Sequence, residues 1–374
     1  MSQESLQYFP KTAFDSFTFS EKKVVAVCAK DHPLFSSENL ITFGEQEILI
    51  GDLPQGVTAL PLSRALKIYG TFLQERLSQL KSSESDLFAS EVRNQAKEPL
   101  VLYIAPGTKV KRPLRLLHLS SGGKSYDALH VFVGKGAEVS LVCHALSVDG
   151  ACQQISCDIS LGEGARVTHL QHCEPGNSSW LLGSMRAQLA ERSFFTSLTT
   201  SFGGKAVRNR FEVELQGKHA EAILQGVAMV GQSRHHHTHV TMRHLAPETR
   251  STQLFKNVLK ESSRTSFEGK IFVDRLAQKT EAYQRNNNLL LNDSVIANSK
   301  PNLEIFADDV KASHGATVQL LEAESLFYLQ SRGIDKEAAK GLLLKSFCQE
   351  LLFQIPEEKW RTYLLSYVEG YAGS

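Results

Sequence analysis

The sequence lacks the signals that export a protein or anchor it in a membrane. Its first ten residues, Met1 to Pro10, contain no basic stretch followed by an apolar run and a small-residue cleavage site, so no signal peptide is predicted. No uninterrupted apolar run approaches the roughly 18 residues of a spanning helix. The richest segment, Leu342 to Ile355, is broken by Lys345 and other polar residues. We therefore expect a cytoplasmic protein that does not span a membrane.

The chain also has little net charge and few cysteines. Its 374 residues include 41 basic and 40 acidic side chains, a formal charge of +1, so bulk electrostatics attracts neither nucleic acid nor anionic lipid. The six cysteines form no C-x-x-C pair and are too few for a disulfide framework. Those at 143, 152, 157 and 173 match no iron–sulfur spacing, so packing in the core is the predicted role for most of them.

Common catalytic motifs are missing as well. There is no G-x-x-x-x-G-K-[ST] phosphate loop, no G-x-S-x-G elbow, and no G-x-G-x-x-G that opens a helix after a strand. Asp308 and Asp309 are adjacent, so in a strand they would face opposite sides and could not act as a facing acid and base. We therefore do not expect an ATPase or a hydrolase of those classes.

What the sequence does contain begins with a mixed region. Strand-like runs occur at Lys23 to Ala29 and Glu47 to Ile50, and apolar residues recur at helical spacing from Leu62 to Leu77. From about residue 100 to residue 318, short runs that alternate apolar and polar residues are separated by glycines. This long middle part is predicted to be mainly β.

The chain ends in helical patterns. Residues 322–330 begin a helix that Gly333 would end. Asp335 is a good N-cap for a helix over 336–354 whose apolar stripe includes Leu342, and Trp360 marks a third helical face. We therefore divide the chain into a mixed α/β or helical region at 1–90, a β core at 91–318 and a helical domain at 319–374.

A weak repeat indicates how the strands are arranged. Val133 to Leu141 and Leu161 to His169 share the pattern apolar-Gly-x-Gly-Ala-x-Val at a distance of 28 residues, and Leu215 to Ile223 is a looser third copy. A fixed period of this length is typical of a solenoid whose turns share one core. A β-sandwich, the alternative, predicts tighter and more regular hairpins. The pattern favours the solenoid, a β-helix, only modestly.

Two polar segments are candidate sites. A histidine run includes His235, His237 and His239, which would share one face of a strand, and His244 follows. Imidazole is a common metal ligand, but no cysteine or carboxylate stands at a zinc spacing, so a solvated strand is the favoured interpretation. The segment from Gln284 to Leu291 combines amides with an apolar run and is interpreted as a solenoid corner with stacked amides.

Several segments resemble the SufB/SufD family of iron–sulfur cluster assembly proteins. Its C-terminal signature is matched by Gln278 to Gln284, Asn288 to Leu291, Lys300 to Ile305, Ala307 to Lys311, Ser313 to Val318 and Leu326 to Ile334. Upstream, Val101 to Gly107 with Arg112 to Leu114 resembles the entry into the family's β-helix. His235 with His244 to Pro247 resembles its mid-body histidine segment. The resemblance covers about residues 90 to 374.

Within the family the chain resembles the SufD branch. SufB members carry a functional cysteine after the Leu-Leu-Leu run, where this chain has Ser294 to Asn298, and an acidic residue where it has Gly315. The histidine that the SufD branch is thought to use at the interface with SufB falls on His314. Ala312 stands where many SufD sequences have cysteine, which excludes a thiolate there, and His237 stands where the family has an acidic residue.

The resemblance implies a fold and a function. The expected fold is a right-handed parallel β-helix flanked by helical regions. The expected partners are a SufB-like homologue and a SufC-like ATPase that docks on the C-terminal helices. We expect a non-enzymatic scaffold that binds no nucleotide and holds iron or an iron–sulfur cluster transiently at the interface.

The resemblance also ranks the candidate residues. His314 would be the ligand, and His235 and His244 are secondary candidates. His314 is predicted to lie between the last strand-like segment, Leu303 to Lys311, and the first C-terminal helix. The competing interpretation is therefore a residue that stabilises a turn there. The alternative functions are a homodimeric cluster-binding scaffold and a β-helix enzyme that acts on carbohydrate.

Overall fold

The computed structural model describes residues 39–44, 48–82 and 86–371, so the strand predicted at Lys23 to Ala29 lies outside the described residues. The helices are α1 Leu62–Ser82, α2 Leu87–Gln95, α3 Ala323–Ser331, α4 Lys336–Leu352 and α5 Glu358–Gly370. None of the helices in these ranges is both long enough and apolar enough to cross a membrane.

The strands form two sheets, which we call odd and even after the numbers of most of their strands. The odd sheet contains β1 Leu40–Gly44, β2 Leu49–Ile50, β5 Leu114–Ser120, β7 Glu138–Ser147, β9 Arg166–Pro175, β11 Phe194–Phe202, β13 Glu221–Val230, β15 Arg250–Leu259, β17 Thr280–Leu290 and β19 Val310–Leu320. The even sheet contains β3 Val57–Pro61, β4 Leu100–Ile104, β6 Gly123–Val133, β8 Ala151–Leu161, β10 Trp180–Leu189, β12 Ala206–Leu215, β14 His235–His244, β16 Arg264–Val273 and β18 Ile296–Ile305.

From β4 onward, each strand pairs in parallel with the strand two positions later in the chain. The chain therefore alternates between the sheets and winds through eight turns, β4 with β5 up to β18 with β19. This is the predicted mainly-β fold with a parallel β-solenoid core and helices at both ends. The sandwich alternative is wrong, because among the described strands antiparallel pairing occurs only where β1 meets β2 and β3 meets β4.

The alternating pattern of the strands builds the solenoid interior. In β7, for example, Val139, Leu141 and Cys143 point inward and lie in the same apolar cluster as Leu129 and Val131 of β6. Burying one such aliphatic side chain contributes about 1.5–3 kcal/mol. Stacked turns thus stabilise one another, and a single turn has no core of its own.

The glycines of the repeat mark one corner of the solenoid. Gly136 and Gly164 have φ angles of 65° and 64°, and the N–H of each donates to a backbone carbonyl of the next turn. At the same corner of later turns, Arg192 and His219 adopt positive φ angles of 55° and 61°. The repeat is weak in the sequence because this corner tolerates residues other than glycine at a modest cost.

Replacing Gly136 or Gly164 with valine is expected to lower the free energy of unfolding by about 1–2 kcal/mol, because a β-branched residue is strained at positive φ. No heavy atom lies within 4 Å of the position that a Cβ would take, so the cost comes from the backbone. Urea unfolding measures it, with Arg192→Gly as a control that should not be destabilised through its backbone. Unchanged stability of both valine variants would contradict this account of the corner.

The C-terminal helices begin and end much as the sequence predicts. The Asp335 side chain accepts hydrogen bonds from the N–H groups of two residues of the first turn of α4, and Gly333 has a φ of 86° after α3. The pattern of α4 differs from the prediction. Leu342, placed in the apolar stripe, is 44% exposed, whereas Gly341 is buried where a Cβ would lie 3.0 Å from the Glu369 carbonyl oxygen. Close packing against α5 therefore shifts the buried face of α4.

The helical tail shares its core with the solenoid. The outer face of the odd sheet and the helices α4 and α5 form one apolar cluster. Its buried members are Val142, Leu170, Leu198, Phe202, Val227, Met229, Leu254, Val258 and Leu289 from the sheet, and Leu344, Cys348, Leu351, Leu352, Ile355, Trp360, Leu364, Val368 and Tyr371 from the tail. The two parts therefore stabilise each other.

At the other end of the chain, α2 covers the outer face of the even sheet. Asp86, at the N-cap position of α2, does not cap the helix and instead forms a buried ion pair with Arg208, at 2.8 Å. Arg93 of the same helix contacts Asp158 at 3.1 Å. Strands in the middle of the even sheet are thus buried on both faces, which decides where several candidate residues lie.

Candidate functional site

The last turn of the solenoid leaves two strand edges open. Each of β18 and β19 pairs on one side only, and no other strand of the described chain covers the remaining side. Large apolar side chains are exposed there, including Ile296 at 40%, Val318 at 51% and Leu320 at 50%. An unpaired edge with apolar side chains is a template for pairing with another chain.

His314 lies in the middle of this open edge. The prediction that it follows the last strand is wrong, because β19 continues to Leu320 and pairs His314 with Gln284 of β17. Ala312, two residues earlier, packs against the interior cluster, so the two-residue period of a strand directs His314 to the same side. Its side chain is exposed because no further turn follows. The turn-stabilising interpretation is therefore wrong.

Two buried amides lie next to His314 along the interior. Gln284 is its neighbour in the preceding turn, and Gln253 is the neighbour of Gln284 in the turn before that. Both side chains are 1% exposed, and their amide atoms have no hydrogen-bond partner among the described residues. Buried polar atoms of this kind call for water or a ligand. The interior beneath His314 is therefore polar rather than apolar.

Asparagines tie the last turns together. Asn257 donates to Asn288 at 2.8 Å, and Asn288 donates to the side chain of Asn286 at 2.9 Å and to the carbonyl oxygen of Thr317 at 3.1 Å. The predicted stacking of amides is present, but the predicted corner is wrong, since these residues lie within strands. This ladder holds β19, and with it His314, against β17.

The secondary candidates lie elsewhere. His244 is fully buried, and its two ring nitrogens hydrogen-bond the hydroxyls of Thr249 and Ser251, each at 2.8 Å. Burial lowers the pKa of His244 to about 3, so its ring is neutral. His235 is half-buried at the start of β14, two strands from β18 in the even sheet. The structure does not bring either residue to His314.

The solvated strand predicted for the histidine run is also wrong. His237 is 2% exposed and contacts the Ser266 hydroxyl at 2.6 Å, and His236 is 7% exposed. Val240 and Met242 of β14 point into the solenoid core, and on the outer face His237 is the Cα partner of Arg208, which forms a buried ion pair with Asp86. Burial lowers the pKa of His236 to about 4.

The described cysteines pack in the core as predicted. All of them are buried, and none forms a disulfide; they are Cys143, Cys152, Cys157, Cys173 and Cys348. Burial raises the pKa of Cys143 and of Cys173 to about 12, so both are protonated thiols. A protonated, buried thiol is a poor cluster ligand.

One cluster was missed by the sequence analysis. His144, His172 and Glu174 offer ligand atoms that lie within 4.8 Å of one another, on the outer face of the odd sheet beneath α5. His144 and His172 are Cα partners in neighbouring turns. The only signal in the sequence is their separation of 28 residues, which equals the period of the glycine repeat.

Comparison with known proteins identifies the family. A family profile described as "SUF system FeS cluster assembly, SufBD core domain" matches residues 117–347, more than half of the chain. The chain belongs to the SufBD family. SufD of Escherichia coli K12 is 28% identical over 292 residues, which cover 76% of this chain and 69% of that protein. A SufBD family protein of Synechocystis is 28% identical over 319 residues, covering 82% and 70%, and the chloroplastic protein ABCI7 of Arabidopsis thaliana is 32% identical over 317 residues, covering 80% and 66%.

The SufBD resemblance found in the sequence is thus confirmed, and its segments converge in space. Gln278 to Gln284 and Asn288 to Leu291 lie in or beside β17, Lys300 to Ile305 in β18, and Ser313 to Val318 in β19. Leu326 to Ile334 contains most of α3. The SufBD signature therefore describes the open end of the solenoid and the first helix after it.

Proposed function

We propose that this chain is a non-enzymatic scaffold for iron–sulfur cluster assembly that pairs, through its last turn, with a SufB-like homologue. The observation that carries the proposal is the exposed imidazole of His314 on an otherwise unpaired edge strand. Strands of a second chain could extend both sheets across this edge through backbone hydrogen bonds. His314 would then face the partner at the joint.

The chemistry of His314 suits iron. A neutral imidazole is a ligand for iron and other transition metals. The iron or cluster is the material being assembled and is held only transiently. The described residues supply no thiolate at this place, so the remaining ligands would come from the partner.

The first C-terminal helix is the proposed docking surface for a SufC-like ATPase. No residue of α3 is buried, and its aromatic side chains Phe327 and Tyr328 are 73% and 57% exposed. Leu320, just before this helix, is also exposed. A contiguous exposed apolar patch is typical of a protein interaction site. Nucleotide would be bound by the ATPase and not by this chain, and we place the complex in the cytoplasm.

Replacing His314 with alanine tests the proposal. We expect the variant to fold and to co-purify with untagged SufB-like and SufC-like partners, while cluster assembly in cells falls at least about tenfold, because one ligand is lost. His219→Ala, which removes an exposed histidine at a corner, is the control and should assemble clusters normally. Normal assembly by His314→Ala, or failure only because the complex dissociates, would refute the ligand role.

The same edges support a second candidate, a homodimeric scaffold. Two copies could pair through β18 and β19, since the edge that would accept a homologue would also accept an identical chain. The mass of the chain in solution, measured alone and then with the SufB-like protein, distinguishes the two: a homodimer that the partner does not displace supports this candidate. Membership of the SufBD family leaves the carbohydrate-active enzyme without support.

A further inference from the structure

Three side chains with metal-binding groups meet between the solenoid and α5. His144 lies in β7, and His172 and Glu174 lie in β9, where the two-residue period directs both to the outer face of the odd sheet. His172 Nε2 is 3.3 Å from Glu174 Oε2, and His144 Nε2 is 3.8 Å from the same oxygen. In the odd sheet, β9 and β7 lie five and six strands away from β19, which carries His314.

We propose that His144, His172 and Glu174 bind a divalent transition-metal ion. Two imidazole nitrogens and one carboxylate oxygen form a donor set that is used for both zinc and ferrous iron. With bonds of about 2.1 Å, the ligand atoms of a tetrahedral site lie roughly 3.4 Å apart. The two distances to the carboxylate oxygen are close to that value, and all three ligand atoms lie within 4.8 Å of one another, so side-chain movements of about 1–1.5 Å complete the site.

The neighbouring residues hold the ligands as metal sites require. The Nδ1 atom of His172 lies 2.7 Å from the Thr200 hydroxyl, which fixes the ring and directs Nε2 toward the cluster. The Tyr363 hydroxyl donates to both oxygens of Glu174 at 3.3 Å. Hydrogen bonds of this kind orient metal ligands and tune their affinity for the metal.

Aromatic rings enclose the two imidazoles, and the cluster is open to solvent on the side of Glu174. The ring of His172 has its centre 5.4 Å from that of Phe202 and 5.8 Å from that of Trp360. His144 is 1% exposed, whereas the Glu174 side chain is 33% exposed. An ion would therefore enter along Glu174, and a water molecule on that side could complete its coordination.

The position of the cluster gives the ion a structural effect. Both histidines come from the solenoid, whereas Tyr363 and Trp360 come from α5. Because a bound ion stabilises only the state in which its ligands converge, metal should raise the melting temperature in a concentration-dependent way. The site uses no residue of the last turn, so it does not depend on the proposed function.

Cobalt and zinc titrations of the full chain, stripped with a chelator, test the site. We expect one Co²⁺ per chain to give visible absorption bands and Zn²⁺ to remove them. Glu174→Gln, which keeps the shape of the side chain, should weaken binding at least 100-fold, and Tyr363→Phe should weaken it about 10–100-fold. His219→Ala is the matched control, because it removes an exposed imidazole whose Nδ1 lies 3.5 Å from Glu248 Oε2. This variant should bind the metal normally.

The site would be overturned by the absence of a bound-cobalt spectrum, by equal affinity in Glu174→Gln and the unchanged chain, or by loss of binding in His219→Ala. Glu174 reaches solvent, so its glutamine variant should keep the circular dichroism of the unchanged chain and remain informative if His172→Gln fails to fold. His314→Ala is expected to bind the metal fully. Loss of metal binding in that variant would place the ion at the last turn of the solenoid instead.

Discussion

Replacing Trp360 with alanine is expected to lower the free energy of unfolding by about 3–5 kcal/mol, the range for a large aromatic residue removed from a packed core. Trp360 is 1% exposed, and its ring has its centre 5.8 Å from the ring centres of His144 and of His172. The loss combines the transfer of a large apolar surface with a cavity between α5 and the odd sheet. Neither α5 nor the odd sheet can close that cavity without displacing the other.

Urea unfolding with a chelator present measures this loss apart from any effect of metal. Phe353→Ala is the matched control, because Phe353 also belongs to the C-terminal region but is 53% exposed. Its stability should change by no more than about 0.5 kcal/mol. Equal effects of the two substitutions would show that the helices and the solenoid do not share a core.

The sequence predicts the strands and turns of this fold well, because these depend on local patterns. Alternation of apolar and polar residues places the strands, and Gly136 and Gly164 mark a corner where positive φ is needed. Asp335 and Gly333 bound the C-terminal helices through local backbone chemistry. Such signals act within a few residues of each other, so a single sequence reveals them.

The outer faces of the sheets could not be predicted in the same way. His237 was expected to be solvated, but it is 2% exposed. Its strand partner Arg208 forms a buried ion pair with Asp86, which lies about 150 positions before His237 in the chain. Likewise, the outer face of the odd sheet is buried by helices that follow after residue 335. Alternation shows that one face is buried and says nothing about what covers the other.

The candidate sites also depend on contacts between residues that are distant in the sequence. His314 was found through a resemblance, but its strand was missed because Ser313 to Thr317 contains small and polar residues with glycine, which have low strand propensity. Pairing with β17 and the asparagine ladder determine the structure there. His144 and His172 meet only because successive turns stack, and Tyr363 reaches them from α5.

Acid is expected to destabilise the protein strongly through its buried histidines. Burial lowers the pKa of His169, His236 and His239 to about 4 and that of His244 to about 3. In the unfolded chain these groups titrate near pH 6.5, so the unfolded state binds protons that the folded state does not. Their contribution to stability is therefore complete above about pH 6.5 and is lost as the pH falls toward 4.

Below pH 6.5, each of these histidines lowers the free energy of unfolding by about 1.4 kcal/mol per pH unit. The four together lower it by on the order of 5 kcal/mol per unit. That is comparable with the whole stability of a typical domain, and we expect unfolding near pH 5. Urea unfolding at pH 7.5, 6.5 and 5.5 measures the slope, which His244→Gln should reduce by about 1.4 kcal/mol per unit because glutamine does not titrate. The slope should persist in about 1 M salt, since its main cause is burial rather than repulsion between charges. A melting temperature that stays constant from pH 7.5 to pH 5.5 would mean that these histidines are solvated, and the packing of β14 described above would then be wrong.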